Sequence, residues 1–75
     1  MNVGKNINYL REANELTQKE LAEKVYTSQQ MINRIENCIS DPSLKLAQRI
    51  AEVFGLTIDE LVYGKSAQEN QNQLA

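Results

Sequence analysis

Apolar side chains recur every three or four residues along most of this chain, and this spacing constrains the fold more than any other feature. Val3, Ile7 and Leu10 form the first such stripe. Nowhere do β-branched residues alternate with polar ones over a useful length. We therefore predict an all-α protein, and the 75 residues leave room for one small domain without a second core.

Capping residues divide the apolar stripe into five short helices. Thr17 with Glu20 and Thr57 with Glu60 match the capping box, in which a hydroxyl and a carboxylate satisfy free N–H groups at a helix start. Gly55 is well placed to end a helix in the left-handed conformation. The first four helices are predicted at 3–14, 18–25, 28–37 and 43–54, and the fifth should begin at Thr57. Thr27 or Ser28 should cap the third helix, and Ser43 the fourth.

Residues 1–64 are predicted to form this compact five-helix domain, because the connections between the helices are short. The fourth helix should direct five apolar side chains into the core, namely Leu44, Ala47, Ile50, Ala51 and Phe54. Residues 65–75, KSAQENQNQLA, are polar and have no apolar stripe. We expect them to form a disordered tail, with a frayed helical extension as the alternative.

Charge and residue composition exclude several classes of function. A formal net charge of −2 and a pI near 5.0 exclude a generally basic nucleic-acid binder but not a local basic face. With one cysteine, Cys38, and no histidine, neither an intramolecular disulfide nor a Cys/His metal cluster is available, and Cys38 is expected to fill space. No acid pair in a plausible cleft and no glycine-rich phosphate loop are visible, so we predict neither an enzyme nor a cofactor.

The chain offers no long apolar run and no room for a ligand domain. We therefore expect no signal peptide, no membrane span and no small-molecule ligand. Cytoplasmic localisation is the default expectation.

The predicted third helix has an unusual outward face. On a helical wheel of about 100° per residue, Met31, Ile32 and Ile35 fall on the buried side. The outward side carries four amides and one guanidinium but no carboxylate, namely Gln29, Gln30, Asn33, Arg34 and Asn37. A solvated helix face usually mixes Glu and Lys, whereas amides match the adenine edge in the DNA major groove and arginine matches guanine. The wheel alone leaves an ordinary polar face as an equal alternative.

The surrounding sequence resembles a known family. The stretch LTQKELAEKVYTSQQMINRIEN, residues 16–37, is similar to the Cro/repressor-type helix-turn-helix of lambdoid phages and many bacterial regulators. The resemblance rests on the spaced motifs Leu16-Thr17-Gln18, Leu21-Ala22 and Ile35-Glu36, and it extends over residues 7–62. It implies that the second and third helices form a helix-turn-helix. It also implies a sequence-specific regulator of double-stranded DNA, a repressor, that reads the major groove as a homodimer on an inverted repeat.

The resemblance further implies roles for individual side chains. Bases would be read by Gln29, Gln30, Asn33 and Arg34. Phosphates would be contacted by Gln18, Thr27, Ser28 and Asn37.

Arg11 and Glu36 stand where the family often has a buried ion pair, with two independent surface charges as the alternative. The C-terminal third also holds more apolar residues than a short fifth helix needs to cap a small core. We predict that this excess serves dimerisation through Leu56, Ile58, Val62 and Tyr63.

Three positions depart from the family pattern. Tyr26 and Cys38 stand where glycine with positive φ is usual, and Asp41 is the only charge in a loop that is often basic. The acidic pI and this loop favour a second class of function, a protein-interaction module such as an antitoxin or antirepressor that keeps the fold. The carboxylate-free outward face of the third helix favours DNA binding.

Overall fold

A computed structural model of the chain describes residues 3–64, so the predicted tail at 65–75 lies outside the described residues. Within residues 3–64 there are five helices and no strand, which confirms the all-α prediction. The helices are α1 (Val3–Ala13), α2 (Gln18–Lys24), α3 (Gln29–Glu36), α4 (Leu44–Val53) and α5 (Ile58–Tyr63). The first four are shorter than predicted by one residue at one or both ends, because capping residues lie just outside the helices.

Side-chain caps begin four of the helices. In the capping box of α2, the Thr17 hydroxyl accepts from the Glu20 N–H at 3.0 Å, and the Glu20 carboxylate accepts from the Thr17 N–H at 2.8 Å. Thr57 and Glu60 repeat this arrangement at 3.1 and 2.9 Å. Of the two candidates for the cap of α3, the structure selects Ser28, and the predicted cap of α4 by Ser43 is also present. Local sequence therefore decides where these helices start.

All five helices contribute side chains to one core. Seven side chains are almost completely buried: Ile7, Leu21, Val25, Ile32, Ile35, Ile50 and Leu61. Ala22 presents a small buried side chain in α2, which packs directly on α3. On the α1 side, a Cβ on Gly4 would overlap the carbonyl of Ile35, so the close approach of α1 and α3 requires glycine. These contacts bury one side of α3 while its other side remains exposed.

The prediction that Leu44 faces the core is wrong. Leu44 is 73% exposed, and Leu46 is buried in its place. Leu44 is the first residue of α4, and helical side chains lean toward the N-terminus, so its side chain extends beyond the end of the core. Ala47, Ile50 and Ala51 are buried as predicted, and Phe54 packs partly buried against the core.

Both departures from glycine keep the backbone conformation that glycine usually provides. Tyr26 has a φ of 61° and Cys38 a φ of 60°, and Gly55 ends α4 at 69° as predicted. The Ile39 N–H returns to the Arg34 carbonyl at 2.9 Å, which closes the end of α3. A side chain in the left-handed region costs about 1–2 kcal/mol, so the chain carries strain at both turns.

Cys38→Gly is expected to raise the free energy of unfolding by up to about 1 kcal/mol, because glycine relieves the strain and loses part of the gain to its larger unfolded-state entropy. Tyr26→Gly should gain less, since the Arg49 guanidinium lies 5.4 Å from the centre of the Tyr26 ring and that contact would be lost. Urea unfolding of the variants measures both effects. Glu23→Gly, inside α2 at a right-handed exposed position, is the control and should lose about 1 kcal/mol. If Cys38→Gly loses as much as the control, the strain at Cys38 does not exist.

Candidate nucleic-acid interface

The outward side of α3 is the most distinctive surface of the domain. All five residues predicted to face outward are exposed, and we call them the amide face: Gln29, Gln30, Asn33, Arg34 and Asn37. On the opposite side, Ile32 and Ile35 are buried and Met31 packs partly buried against the core. The amide face thus offers hydrogen-bond donors and acceptors on planar groups, together with one positive charge and no negative one.

Of the four residues predicted to contact phosphates, Asn37 belongs to the amide face and the other three lie in α2 or in the turn before α3. Gln18 begins α2 and is partly buried, whereas Thr27 and Ser28 lie in the turn before α3. The Ser28 hydroxyl accepts from the Met31 N–H at 3.0 Å, so it is already occupied in capping α3. Asn37 donates to the backbone carbonyl of Asn33 at 2.8 Å. The side chains of Ser28 and Asn37 therefore also serve the fold.

A buried carboxylate at the end of α3 hydrogen-bonds to residues of α1 and α2. Glu36 is only 9% exposed, and its Oε2 accepts from Arg11 Nε at 2.6 Å. Its Oε1 accepts from Arg11 Nη2 at 3.1 Å, from Asn8 Nδ2 at 2.8 Å and from Gln18 Nε2 at 3.1 Å. Arg11 Nη1 also donates to the Leu16 carbonyl at 2.7 Å. The predicted partners therefore lie in one network that joins α1, the start of α2 and the end of α3.

Sequence reasoning missed Asn8 as a member of this network. A usable signal was present, because Asn8 lies three residues before Arg11 and therefore shares one face of α1 with it. It also did not expect Gln18 to donate to Glu36.

The network controls the protonation of its central carboxylate. Burial acts to raise the pKa of Glu36, but hydrogen bonds from Arg11, Asn8 and Gln18 outweigh it and hold that pKa below its usual value. The hydrogen bond to Glu36 raises the pKa of Arg11 in turn. The pair is therefore ionised at neutral pH, and the carboxylate acts only as an acceptor.

Two further hydrogen bonds reach the amide face. Asn33 Nδ2 donates to Gln18 Oε1 at 3.5 Å, and Arg34 Nε donates to the Ser40 hydroxyl at 3.1 Å. Asn33 is thus linked through Gln18 to the buried network, whereas Arg34 is tied to the loop that follows α3. Gln29 and Gln30 stand free of side-chain hydrogen bonds within the described residues.

The residues predicted to mediate dimerisation lie in more than one place. Ile58 and Val62 line one apolar groove together with Leu44, whereas Leu56 lines a separate groove with Tyr9 and Leu10. Tyr63 is 62% exposed. Leu44, which the sequence placed in the core, instead enlarges the exposed apolar surface beside α5. We call Leu44, Ile58 and Val62 the apolar patch.

Three other features of residues 3–64 bear on function: the cysteine, possible metal ligands and the length of the helices. Cys38 is an exposed free thiol, so the expectation that it fills space is wrong; it lies at the turn that ends α3 rather than in the core. The described part of the chain holds no group of three or more His, Cys, Asp or Glu side chains placed to bind a metal ion. No helix found there has the length and apolar character needed to cross a membrane.

In this five-helix domain a tight turn joins α2 to α3, and α3 carries the exposed amide face. This is the architecture of a helix-turn-helix protein. The sequence profile described as helix-turn-helix matches residues 7–61. The chain belongs to the helix-turn-helix family, of the Cro/repressor type that the sequence motifs predicted.

Two curated relatives carry the same assignment in their names. The uncharacterized HTH-type transcriptional regulator MJ0272 of Methanocaldococcus jannaschii is 46% identical over 55 residues, which cover 73% of this chain and 83% of that protein. The HTH-type transcriptional activator BcrR of Enterococcus faecalis is 34% identical over 65 residues, or 87% of this chain. The match spans only 32% of BcrR.

Two solved structures have the same fold. The P22 c2 repressor, crystallised with a synthetic operator, superposes with a TM-score of 0.80 at 20% identity and covers 87% of this chain and 98% of its own. The gene regulator ClgR of Corynebacterium glutamicum gives a TM-score of 0.77 at 19% identity, with 96% and 84% covered. At these identities the likeness establishes the fold alone, which confirms the predicted repressor-like architecture.

Proposed function

We propose that the chain is a sequence-specific regulator of transcription that inserts α3 into the major groove of double-stranded DNA. The observation that carries the proposal is the exposed amide face, because its only neighbouring acid in α3, Glu36, is buried and paired with Arg11. A surface of amides and one guanidinium has hydrogen-bonding groups for base edges without repelling phosphates.

The charges of the chain favour binding to DNA that is selective for sequence rather than strong on any sequence. The chain carries a net charge of −2, and the loop after α3 includes Asp41 instead of a basic residue. Non-specific affinity depends on cations that neutralise phosphates, so few such contacts give weak non-specific binding and a shallow salt dependence. Most of the discrimination would then come from the amide face.

Selection of bound duplexes from a random DNA pool tests the proposal. We expect enrichment of one short sequence in two inverted copies, about 34 Å apart from centre to centre. If no sequence is enriched and no gel shift occurs with random duplexes, the protein-interaction module is the better function.

Repression is the proposed direction of control, because a dimer that covers a promoter excludes the polymerase. A reporter gene with the selected operator overlapping its promoter should lose expression when the protein is present. The relative BcrR is named an activator, so increased expression would be the contrary result.

Dimerisation is proposed to use the apolar patch, together with Leu56 and Tyr63. One helix-turn-helix reads only about half a helical turn of DNA, so two copies are needed for useful affinity. Leu44 at 73% exposure leaves apolar surface uncovered that a second copy would bury.

Leu44→Asp is expected to weaken the dimer at least tenfold, because a carboxylate would be buried in an apolar contact. Sedimentation at several concentrations, with and without operator DNA, measures the change. Val53→Asp is the matched control, since Val53 is 36% exposed and lines a different groove with Leu16 and Phe54. A wild-type protein that is monomeric at high micromolar concentration under both conditions would contradict the dimer.

A further inference from the structure

The hydrogen bonds behind the amide face have a direction. Glu36 is ionised and can only accept, so each side chain that contacts it must present a donor. Gln18 reaches Glu36 with its amide nitrogen at 3.1 Å. The carbonyl of the same amide, Oε1, must therefore point away from the carboxylate.

The orientation of the Gln18 amide also sets the orientation of the Asn33 amide. Gln18 Oε1 is an acceptor, and Asn33 donates to it through Nδ2 at 3.5 Å. Turning the Asn33 amide over would place two carbonyl oxygens against each other, which is unfavourable. The side-chain amide of Asn33 therefore keeps its carbonyl oxygen and one N–H available for other partners, and the residue is exposed.

We propose that Glu36, acting through Gln18, fixes the amide of Asn33 so that this residue selects adenine. The inference rests on the proposed function and adds which base one residue reads and why. Gln18 is a positioning residue here, in place of or in addition to a phosphate contact.

The donors and acceptors of the base edges decide the choice. Adenine presents an acceptor at N7 and a donor at N6, which pair with the free N–H and the carbonyl of Asn33. Guanine presents two acceptors and thymine one, so each would place an oxygen against the Asn33 carbonyl. Cytosine offers a donor alone and satisfies only half of the amide.

Selection from random DNA with wild type, Asn33→Ala and Gln18→Ala tests the proposal. The operator position at which Asn33→Ala loses its preference should carry adenine for the wild type. Gln18→Ala should relax the same position, with the preference for adenine over guanine falling about tenfold, because the Asn33 amide is then free to turn over. Gln48→Ala, an exposed amide on α4 outside the amide face, is the matched control and should leave the selected sequence unchanged.

A base analogue separates this effect from general weakening. Replacing that adenine by purine, which lacks the 6-amino group, should weaken the wild type about tenfold and leave Asn33→Ala unaffected. Gln18→Met, which keeps the length of the side chain without the amide, should behave like Gln18→Ala if the latter is too unstable to measure.

The outcomes separate the inference about Asn33 from the proposed function. Guanine or thymine at the Asn33 position, or an unchanged adenine preference in both Gln18 variants, overturns the inference and leaves the proposed function intact. A wild-type protein that enriches no sequence overturns the proposed function and this inference together.

Discussion

Arg11→Ala is expected to lower the free energy of unfolding by about 3–5 kcal/mol, because it leaves the carboxylate of Glu36 without its charge partner at a site that is only 9% exposed. Asn8 and Gln18 would still donate to that carboxylate, but neither carries a charge. Chemical denaturation of the variant and the wild type at neutral pH measures the loss.

A double-mutant cycle isolates the pair itself. Replacing both Arg11 and Glu36 should cost less than the sum of the two single changes, since no unpaired charge remains buried. Glu12→Ala is the matched control, because Glu12 is an exposed carboxylate 4.0 Å from the same arginine and should cost less than about 1 kcal/mol. Additive single changes would mean that the pair contributes no coupling.

The same pair gives the stability a defined dependence on pH. The pKa of Glu36 is lowered in the folded protein, so its contribution is fully present above the unfolded-state value of about 4.3. That contribution is lost as the pH falls through the lower folded-state pKa. The wild type should therefore lose more stability on acidification than Glu36→Gln, which cannot titrate at this position. Parallel losses in the two proteins would argue against a lowered pKa.

The second large effect is expected on DNA binding. Gln29→Ala and Gln30→Ala should each weaken binding to the selected operator by roughly tenfold or more, because a bidentate amide–adenine pair contributes about 1–3 kcal/mol of discrimination. In a symmetric dimer each substitution removes two such contacts, which raises the expected loss toward 100-fold. Both side chains are exposed in the first turn of α3, about 100° apart, and can address neighbouring base pairs.

Titrations on operator and scrambled duplexes at one salt concentration measure this effect. Affinity for the scrambled duplex should change little, since non-specific binding is electrostatic and the glutamines are neutral. Arg34→Ala should weaken both duplexes if it contacts a phosphate, and mainly the operator if it contacts guanine. If the glutamine variants lose equal affinity on both duplexes, or none on either, base reading by these residues is wrong.

Much of the fold could be predicted because its signals are local. Thr17, Ser43 and Thr57 each cap a helix through a backbone N–H three residues away, so a short window of sequence contains the whole interaction. The amide face was predicted for the same reason, since the period of a helix places Gln29 and Asn33 on one side once Ile32 and Ile35 are buried.

The errors concern positions whose surroundings come from distant parts of the chain. Leu44 has the spacing of a core residue, but it is exposed because none of the helices within residues 3–64 covers the first residue of α4. The dimerisation residues stay a prediction, but the sequence did not show that Leu56 and Ile58 line different grooves, the first with Tyr9 of α1 and the second with Leu44 of α4.

The sequence by itself determined the helices, their caps and the composition of the amide face, because each depends on residues within one or two turns of one another. Only the tertiary structure decided that four donors converge on Glu36 and that Gln18 connects this carboxylate to Asn33. The donors come from residues 18 to 28 positions away along the chain. Their meeting depends on the packing of α1 and α2 against α3, which brings them within hydrogen-bonding distance and is not encoded in any short segment.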